Sequence, residues 1–273
     1  MSEKSAYVMG HDERERRRLA LQASILNPFT EHLLRRAGIS AGMQVLDIGC
    51  GVGDVSLLAA RIVGRSGRIT SLDFDGLALK TLQQRASAEV LDNIECVEGN
   101  VHDWDSRRRF DAVIGRHILI HSKHPLAIVK RCAGMLQPRG LAVFQEYDFS
   151  VIHRAWPPAP LRDGTMELFD RFFARACCSN MGTRLWPLLV EAGFENPDCR
   201  AEYPMDGGPE SLYFEWLTES LRSLLPRAID LGIVTAEEID IDTFEERLRA
   251  ENVAAGSCFP APAMIGAFAR LKS

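Results

Sequence analysis

Three histidines fall within eight positions in the stretch GRHILIHSKHP, residues 115–125. His117 and His121 stand four apart, the spacing of the two ligands in a zinc-binding H-E-x-x-H helix. Position 118 is Ile rather than Glu, so a zinc-hydrolase reading lacks its general base, and no acidic third ligand is close in sequence. No metal is therefore expected. What remains is two imidazoles able to line a pocket or to take a proton. His124, just before Pro125, is expected at the surface.

A second stretch that could do chemistry is DIGCGVGDVS, residues 47–56. Glycines at 49, 51 and 53 let the backbone turn sharply and approach a ligand closely. The helix that follows offers unpaired N–H groups to an anion. A dinucleotide fingerprint, G-x-G-x-x-G, needs glycine at position 54, and that residue is Asp54. The spacing G-x-G-x-G after Asp47 points to a different nucleotide-like ligand and disfavours a nicotinamide-dependent oxidoreductase. Asp73, 26 residues beyond Asp47, closes the next strand and is suited to hold both hydroxyls of a ribose. Phe74 beside it could lie against an adenine face. Glu146 ends a later strand, where it could orient a substrate N–H or O–H, accept its proton, or pair with Arg116.

These residues need a scaffold. From Gln44 the pattern alternates strand and helix: QVLDIG, RITSLDF, NIECVEGN, FDAVIGR and GLAVFQEYDF read as strands, separated by helices with short loops. That rhythm specifies a doubly wound α/β fold, a parallel sheet with helices on both faces and all strand C-termini on one rim. NPDCRAEYPM is expected as a sixth strand, and APAMIGAFARL as a closing edge strand hairpinned with it. Ahead of the sheet, residues 12–25 read as one helix and FTEHLLRRAG as a second, broken at Asn27-Pro28 and ended by Gly38. The RERRR run is expected to be a solvated face. The chain divides into an N-terminal helical lid over 1–40, a core over 41–148, and a remainder over 149–273. That last part carries helical cap insertions at 149–180 and 205–255. Trp156, Phe172, Trp186, Tyr213 and Trp216 lie in cap elements and could form an aromatic wall.

Composition narrows the partners. The 273 residues carry a net charge of −5, with no basic patch for nucleic acid and no apolar run long enough to span a membrane. Seven irregularly spaced cysteines and a polar start point to a reducing cytoplasm. The adjacent Cys177 and Cys178 are explained by a plain helix. Homo-oligomerisation is left open.

Taken in order, VLDIGCGVGDVS, ITSLDFD, VEGNVHD and FDAVIGR resemble the motifs of class I S-adenosylmethionine-dependent methyltransferases. YVMGHDERERRRLALQA and AVFQEYDF are similar to those of a bacterial small-molecule group within that family. The resemblance covers residues 7–148 and is loose beyond. It implies a Rossmann-like sheet of seven strands, mostly parallel with the last antiparallel. The cofactor implied is S-adenosyl-L-methionine and the acceptor a small molecule; the aromatic cap favours carbon on an aromatic, indole or isoprenoid framework over nitrogen or oxygen. A quinone-type C-methyltransferase and a non-catalytic or repurposed cofactor-binding protein are the alternatives. The resemblance also implies roles. Asp47, Gly49, Cys50 and Gly51 would face the methionine end, Asp73 the ribose, and Phe74, Asn100 and Val101 the adenine. Arg116 would begin the loop beside the sulfonium, and Tyr7 and Gln22 would close over the cofactor. The family's usual Gly-Asp-Ala is here Gly99-Asn100-Val101. Candidate catalytic residues are Glu146, His117 and His121.

Overall fold

The computed structural model describes residues 13–151 and 153–272. Its sheet is laid down by strands β1 (Gln44–Ile48), β2 (Arg68–Asp73), β3 (Ile94–Glu98), β4 (Phe110–Arg116) and β5 (Leu136–Asp148). Helices α2 (Asp54–Val63), α3 (Gly76–Ala88) and α4 (Pro125–Gly134) connect them, with a single 3-10 turn at Leu119–His121. The strand order is β3-β2-β1-β4-β5-β9-β6, where β6 is Phe194–Glu202 and β9 is Ala263–Leu271. The first five strands are parallel; β9 runs antiparallel to both β5 and β6. The doubly wound expectation, with an antiparallel last strand, is met.

Strand alternation explains why both faces are covered. Val45, Ile69, Ala112 and Val143 point to one side, under α2 and the helix α1 (Glu13–Ala37). Leu46, Leu72, Val113 and Phe144 point to the other. There they join the larger core beneath α5 (Pro160–Ala176), α6 (Met181–Glu191) and α7 (Tyr213–Asp230). The short helix α8 (Ala236–Ile239) opens with a complete capping box on Thr235 and Glu238, and α9 (Phe244–Ala255) packs on α7. Strands β7 (Met205–Gly207) and β8 (Cys258–Pro260) form a separate two-stranded sheet.

Two expectations change. The segment APAMIGAFARL is an interior strand: β9 slots between β5 and β6, and β6 takes the edge. Its near-unbroken burial, with Ala263, Met264, Ala267 and Ala269 all buried, is what an interior strand requires. The N-terminal segment is one helix rather than two. Pro28 sits inside α1, and Asn27, where a break was expected, accepts a hydrogen bond from Arg116 Nη1 at 3.0 Å. Three ties to the rest of the fold outweigh the lost i→i−4 bond: that contact, Thr30 against Gln145, and the buried Leu26, Leu33 and Leu34. Gly38 does end the helix, with φ +97° and Ile39 N–H donating to Leu34 O.

Candidate functional site

One cavity of about 750 Å3 opens on the rim where the strands end, around the reversal of strand order between β1 and β4. At one end is the loop after β1. Gly49 and Gly53 have φ of +61° and +90°. A Cβ on Gly49 would lie 2.3 Å from Ile118 Cδ1, and one on Gly53 2.1 Å from Leu82 Cδ1. Glycine is required at both for conformation and for space. Gly51, by contrast, has nothing within 4 Å of its virtual Cβ and leaves its backbone facing the opening.

The carboxylates around this loop are fixed from behind. Asp73 accepts from Gly51 N–H at 2.8 Å and from Asp75 N–H at 2.9 Å, which sets its plane on the cavity wall. Asp47 accepts from Ser56 Oγ at 2.6 Å, and Ser56 in turn meets Ser71 Oγ at 2.8 Å, a buried relay beneath the loop. Burial pushes Asp47 up to about 7, against the Ser56 bond and the Arg116 charge, which pull it down. Asp54, the residue standing where a dinucleotide site wants glycine, pairs with Arg85 at 2.7 Å and lies 3.9 Å from Arg116 Nη2. Arg116 also donates to Thr30 Oγ1 at 2.9 Å, so its buried guanidinium ties α1 to the loop helix.

Phe74, half exposed, lines the mouth with Asn100 and Val101. Asn100 Oδ1 accepts from His102 N–H at 3.0 Å, forming a tight local turn. Cys50 is buried against α3.

The other end is an aromatic chamber beneath α1 and α7. Phe149 and Phe173 stack at 4.5 Å and 4°, with His121 tilted against Phe173 at 6.4 Å. His117 adopts φ +54°, stacks on Tyr147 at 4.0 Å and places Nε2 3.3 Å from Met264 Sδ. Gln22 Oε1 accepts from Arg18 Nη1 at 2.9 Å and from Trp216 Nε1 at 3.4 Å, closing the roof. Burial and neighbouring arginines keep both histidines neutral: His117 is held well below the usual range and His121 drops to about 4. At neutral pH each is a hydrogen-bonding imidazole and a weak base.

Every described cofactor-binding or catalytic candidate from the sequence except Glu146 therefore meets in one cavity; Tyr7 lies outside the described residues. Glu146 is fully buried and turned inward. Its Oε1 accepts from Ile118 N–H at 3.0 Å and Leu119 N–H at 2.8 Å, and its Oε2 from Ile120 N–H at 3.2 Å. It anchors the loop that presents the histidines, so the expected contact with substrate gives way to this one. Burial pushes it up to about 8 although the three amides pull the other way. The expected aromatic wall is also redistributed. Trp156 and Trp186 are 77% and 49% exposed, Tyr213 and Phe172 stand behind the wall, and only Trp216 of the five lines the chamber. Phe149, Phe169 and Phe173 complete it. Among the described residues no three His, Cys, Asp or Glu converge as metal ligands would.

Arg18 and Tyr147 are among the lining residues that were missed. Arg18 belongs to the run expected on a solvated face, yet it is buried, one helical turn before Gln22 and on the same side. Tyr147 follows Glu146 in the strand and so faces opposite to it. Both were readable from periodicity once Gln22 and Glu146 had been assigned to faces.

A family model described as a methyltransferase domain matches residues 39–192, more than half of the chain. The chain belongs to that methyltransferase-domain family. Among curated relatives, this methyltransferase-domain protein is 29% identical over 180 residues to a ubiquinone biosynthesis O-methyltransferase of Bradyrhizobium diazoefficiens. That alignment covers 64% of this chain and 62% of the relative. It is 28% identical over 172 residues to a demethylmenaquinone methyltransferase of Lactococcus lactis, covering 61% and 65%. The matches thus span slightly under two thirds of either relative. Among solved structures, the YcgJ protein of Bacillus subtilis superposes with a TM-score of 0.59 at 15% identity, over 90% of this chain and 99% of that one. The [4+2]-cyclase SpnF does so at 0.55 and 15% identity, over 90% and 81%. Those likenesses establish the fold, and the cyclase is a reminder that the fold alone does not fix the reaction.

Proposed function

We propose that this protein transfers a methyl group from S-adenosyl-L-methionine to a small, largely apolar aromatic acceptor. The observation that carries the reading is the single continuous cavity, with a glycine-and-carboxylate end and an aromatic end. The donor set suits the cofactor. Asp73, held by two amides, would receive the ribose hydroxyls. Phe74, Asn100 and Val101 would surround the adenine, Asp47 with Gly49, Cys50 and Gly51 would hold the methionine end, and Gln22 and Arg116 would close over it. Residues 1–40, the first twelve of which lie outside the described residues, then act as a lid, 41–148 as the cofactor core and 149–273 as its completion with the cap.

When bound, S-adenosylmethionine supplies a methyl group already activated by its sulfonium. The protein's own task is alignment in a dry space. The Phe149–Phe173 stack and Trp216 exclude water and orient a flat ring. The neutral His117 and His121 can accept a hydrogen bond from an acceptor proton, and no strong base is required. Two relatives, one named a ubiquinone biosynthesis O-methyltransferase and one a demethylmenaquinone methyltransferase, favour a quinone-type acceptor as the second reading.

The test is incubation with methyl-labelled S-adenosylmethionine and a fractionated lipophilic metabolite extract. Label in an organic-soluble aromatic product is expected. Binding of S-adenosylhomocysteine with no labelled product from any fraction would overturn methyl transfer in favour of a repurposed cofactor-binding protein.

A further inference from the structure

His117 is held by its backbone, by the face of its ring and by one ring nitrogen, and the other nitrogen is left over. Its φ of +54° lies in a region that side chains rarely adopt. Strain of that kind persists only where neighbours impose it. Here they do: His117 N–H donates to Gln145 O at 2.9 Å, and Glu146 gathers the next three amides. The ring lies nearly flat on Tyr147, 4.0 Å away at 16°. Tyr147 in turn stands directly opposite Met264 in the β5–β9 pairing. Opposed residues share a face of the sheet, so the register itself brings the thioether to the edge of the imidazole. Nε2 and Sδ are 3.3 Å apart.

A thioether has lone pairs and no proton to give. A neutral imidazole has one N–H and one lone pair, and the partner of one nitrogen fixes the state of the other. Nε2, facing sulfur, is therefore the N–H, and Nδ1 carries the lone pair. Nδ1 has no hydrogen-bond partner among the described residues, yet it is not closed off: His117 is half-buried and lines the chamber. The Nδ1 of His121, by contrast, is closed off.

We propose that Met264 is a positioning residue: its thioether takes the Nε2–H of His117 and so leaves the Nδ1 lone pair to the chamber, where it receives the proton of the acceptor. The substrate class is then ring compounds that carry a removable proton on or conjugated to the nucleophile, such as phenols, enols and ring N–H groups. This rests on the chamber being the acceptor site argued above. As the nucleophile commits an electron pair to the methyl carbon, the bond from that carbon to sulfur breaks and its pair stays on sulfur. The acceptor's proton passes to Nδ1, so the positive charge moves from sulfonium to imidazolium. The products are the methylated acceptor and S-adenosylhomocysteine, and the imidazolium returns its proton to water as they leave. A weak base serves, because the proton becomes more acidic as the new bond forms.

Nitrogen NMR of the imidazoles at neutral pH reads the state of each ring nitrogen, and the His117 signal is the one missing from His117→Gln. Wild type is expected as the Nε2–H tautomer with Nδ1 bare. In Met264→Leu the Nε2–H has no acceptor. An unpaired buried N–H costs more than moving the proton to Nδ1, which the chamber can solvate. The spectrum is therefore expected to switch toward the Nδ1–H form. With methyl-labelled S-adenosylmethionine and the lipophilic extract, the leucine variant is expected to form labelled product at least about tenfold more slowly. Its affinity for S-adenosylhomocysteine should not change, whereas a general loss of packing would lower both. An Nδ1–H tautomer in wild type, which needs no variant to see, would overturn the proposal. So would the same spectrum in both proteins, or a switched spectrum with unchanged turnover. If wild type binds S-adenosylhomocysteine and yields no labelled product, the loss falls on methyl transfer itself, and the tautomers of the two proteins still decide the contact with Met264.

Discussion

Each carboxylate around the cavity is defined by what stands behind it. Asp73 is fixed by two amides, Glu146 is consumed by three, and Asp47 sits on a serine relay with its affinity for a proton raised to about 7 by burial. A cation bound beside Asp47 prefers the carboxylate form, so cofactor binding at low pH must expel a proton. The affinity of S-adenosylhomocysteine is therefore expected to rise as pH climbs toward 7 and then level. Well below 7 the slope approaches about tenfold per pH unit. Calorimetric titration from pH 5.5 to 8.5 reads this, and Asp47→Asn is expected to bind more weakly with a flat profile. An unchanged profile in the variant would remove Asp47 from the site. Residue types alone did not separate Asp47 and Asp73 from Glu146, since all three end strands on the same rim. What separates them is facing. Glu146 points toward the 3-10 turn, and that turn's amides could not be seen from the sequence.

The glycine loop and the histidine segment are one device at the scale of elements. The loop after β1 can turn only because Gly49 leaves room for Ile118, and Ile118 is held there by the backbone bond to Glu146. Gly49→Ala is expected to cost about 2–4 kcal/mol in denaturant unfolding, from φ strain and the collision with Ile118. Adding Ile118→Ala to it should recover the steric part and not the φ part; additive losses would show that the two segments do not press on one another. The strands, their order and the glycine loop were legible because apolar runs and glycine spacing are local signals. The interior place of β9, its insertion between β5 and β6, is a long-range pairing decision that periodicity does not carry. The continuation of α1 through Pro28 was hidden for the same reason, since its ties come from Arg116 and Gln145 far along the chain.

At the scale of the molecule, the N-terminal helix, the sheet rim and α7 surround the cavity, with α1 and α7 joined by exposed ion pairs Arg14–Glu219 at 2.8 Å and Arg17–Glu215 at 3.0 Å. Two buried acids with raised values also give the fold a pH signature. Asp47 and Glu146 bind protons more tightly folded than unfolded, so their contribution is fully present below about pH 4 and is lost as pH rises through 7 and 8. Melting temperature is expected to fall over that window, and Glu146→Gln to flatten the upper part of the fall; a slope unchanged by the substitution would clear Glu146 of the effect. Ligand binding should oppose it, because a ligand that binds only the folded state stabilises by mass action. The chain's place in the methyltransferase-domain family and its cavity together make cofactor choice the decisive question. Titration of S-adenosylhomocysteine and of NAD into the protein and into Asp73→Asn answers it directly. S-adenosylhomocysteine should bind one to one, at least tenfold more weakly to the variant, and NAD should give no signal. Binding of NAD without S-adenosylhomocysteine, or equal binding of S-adenosylhomocysteine to both proteins, would contradict the site described above.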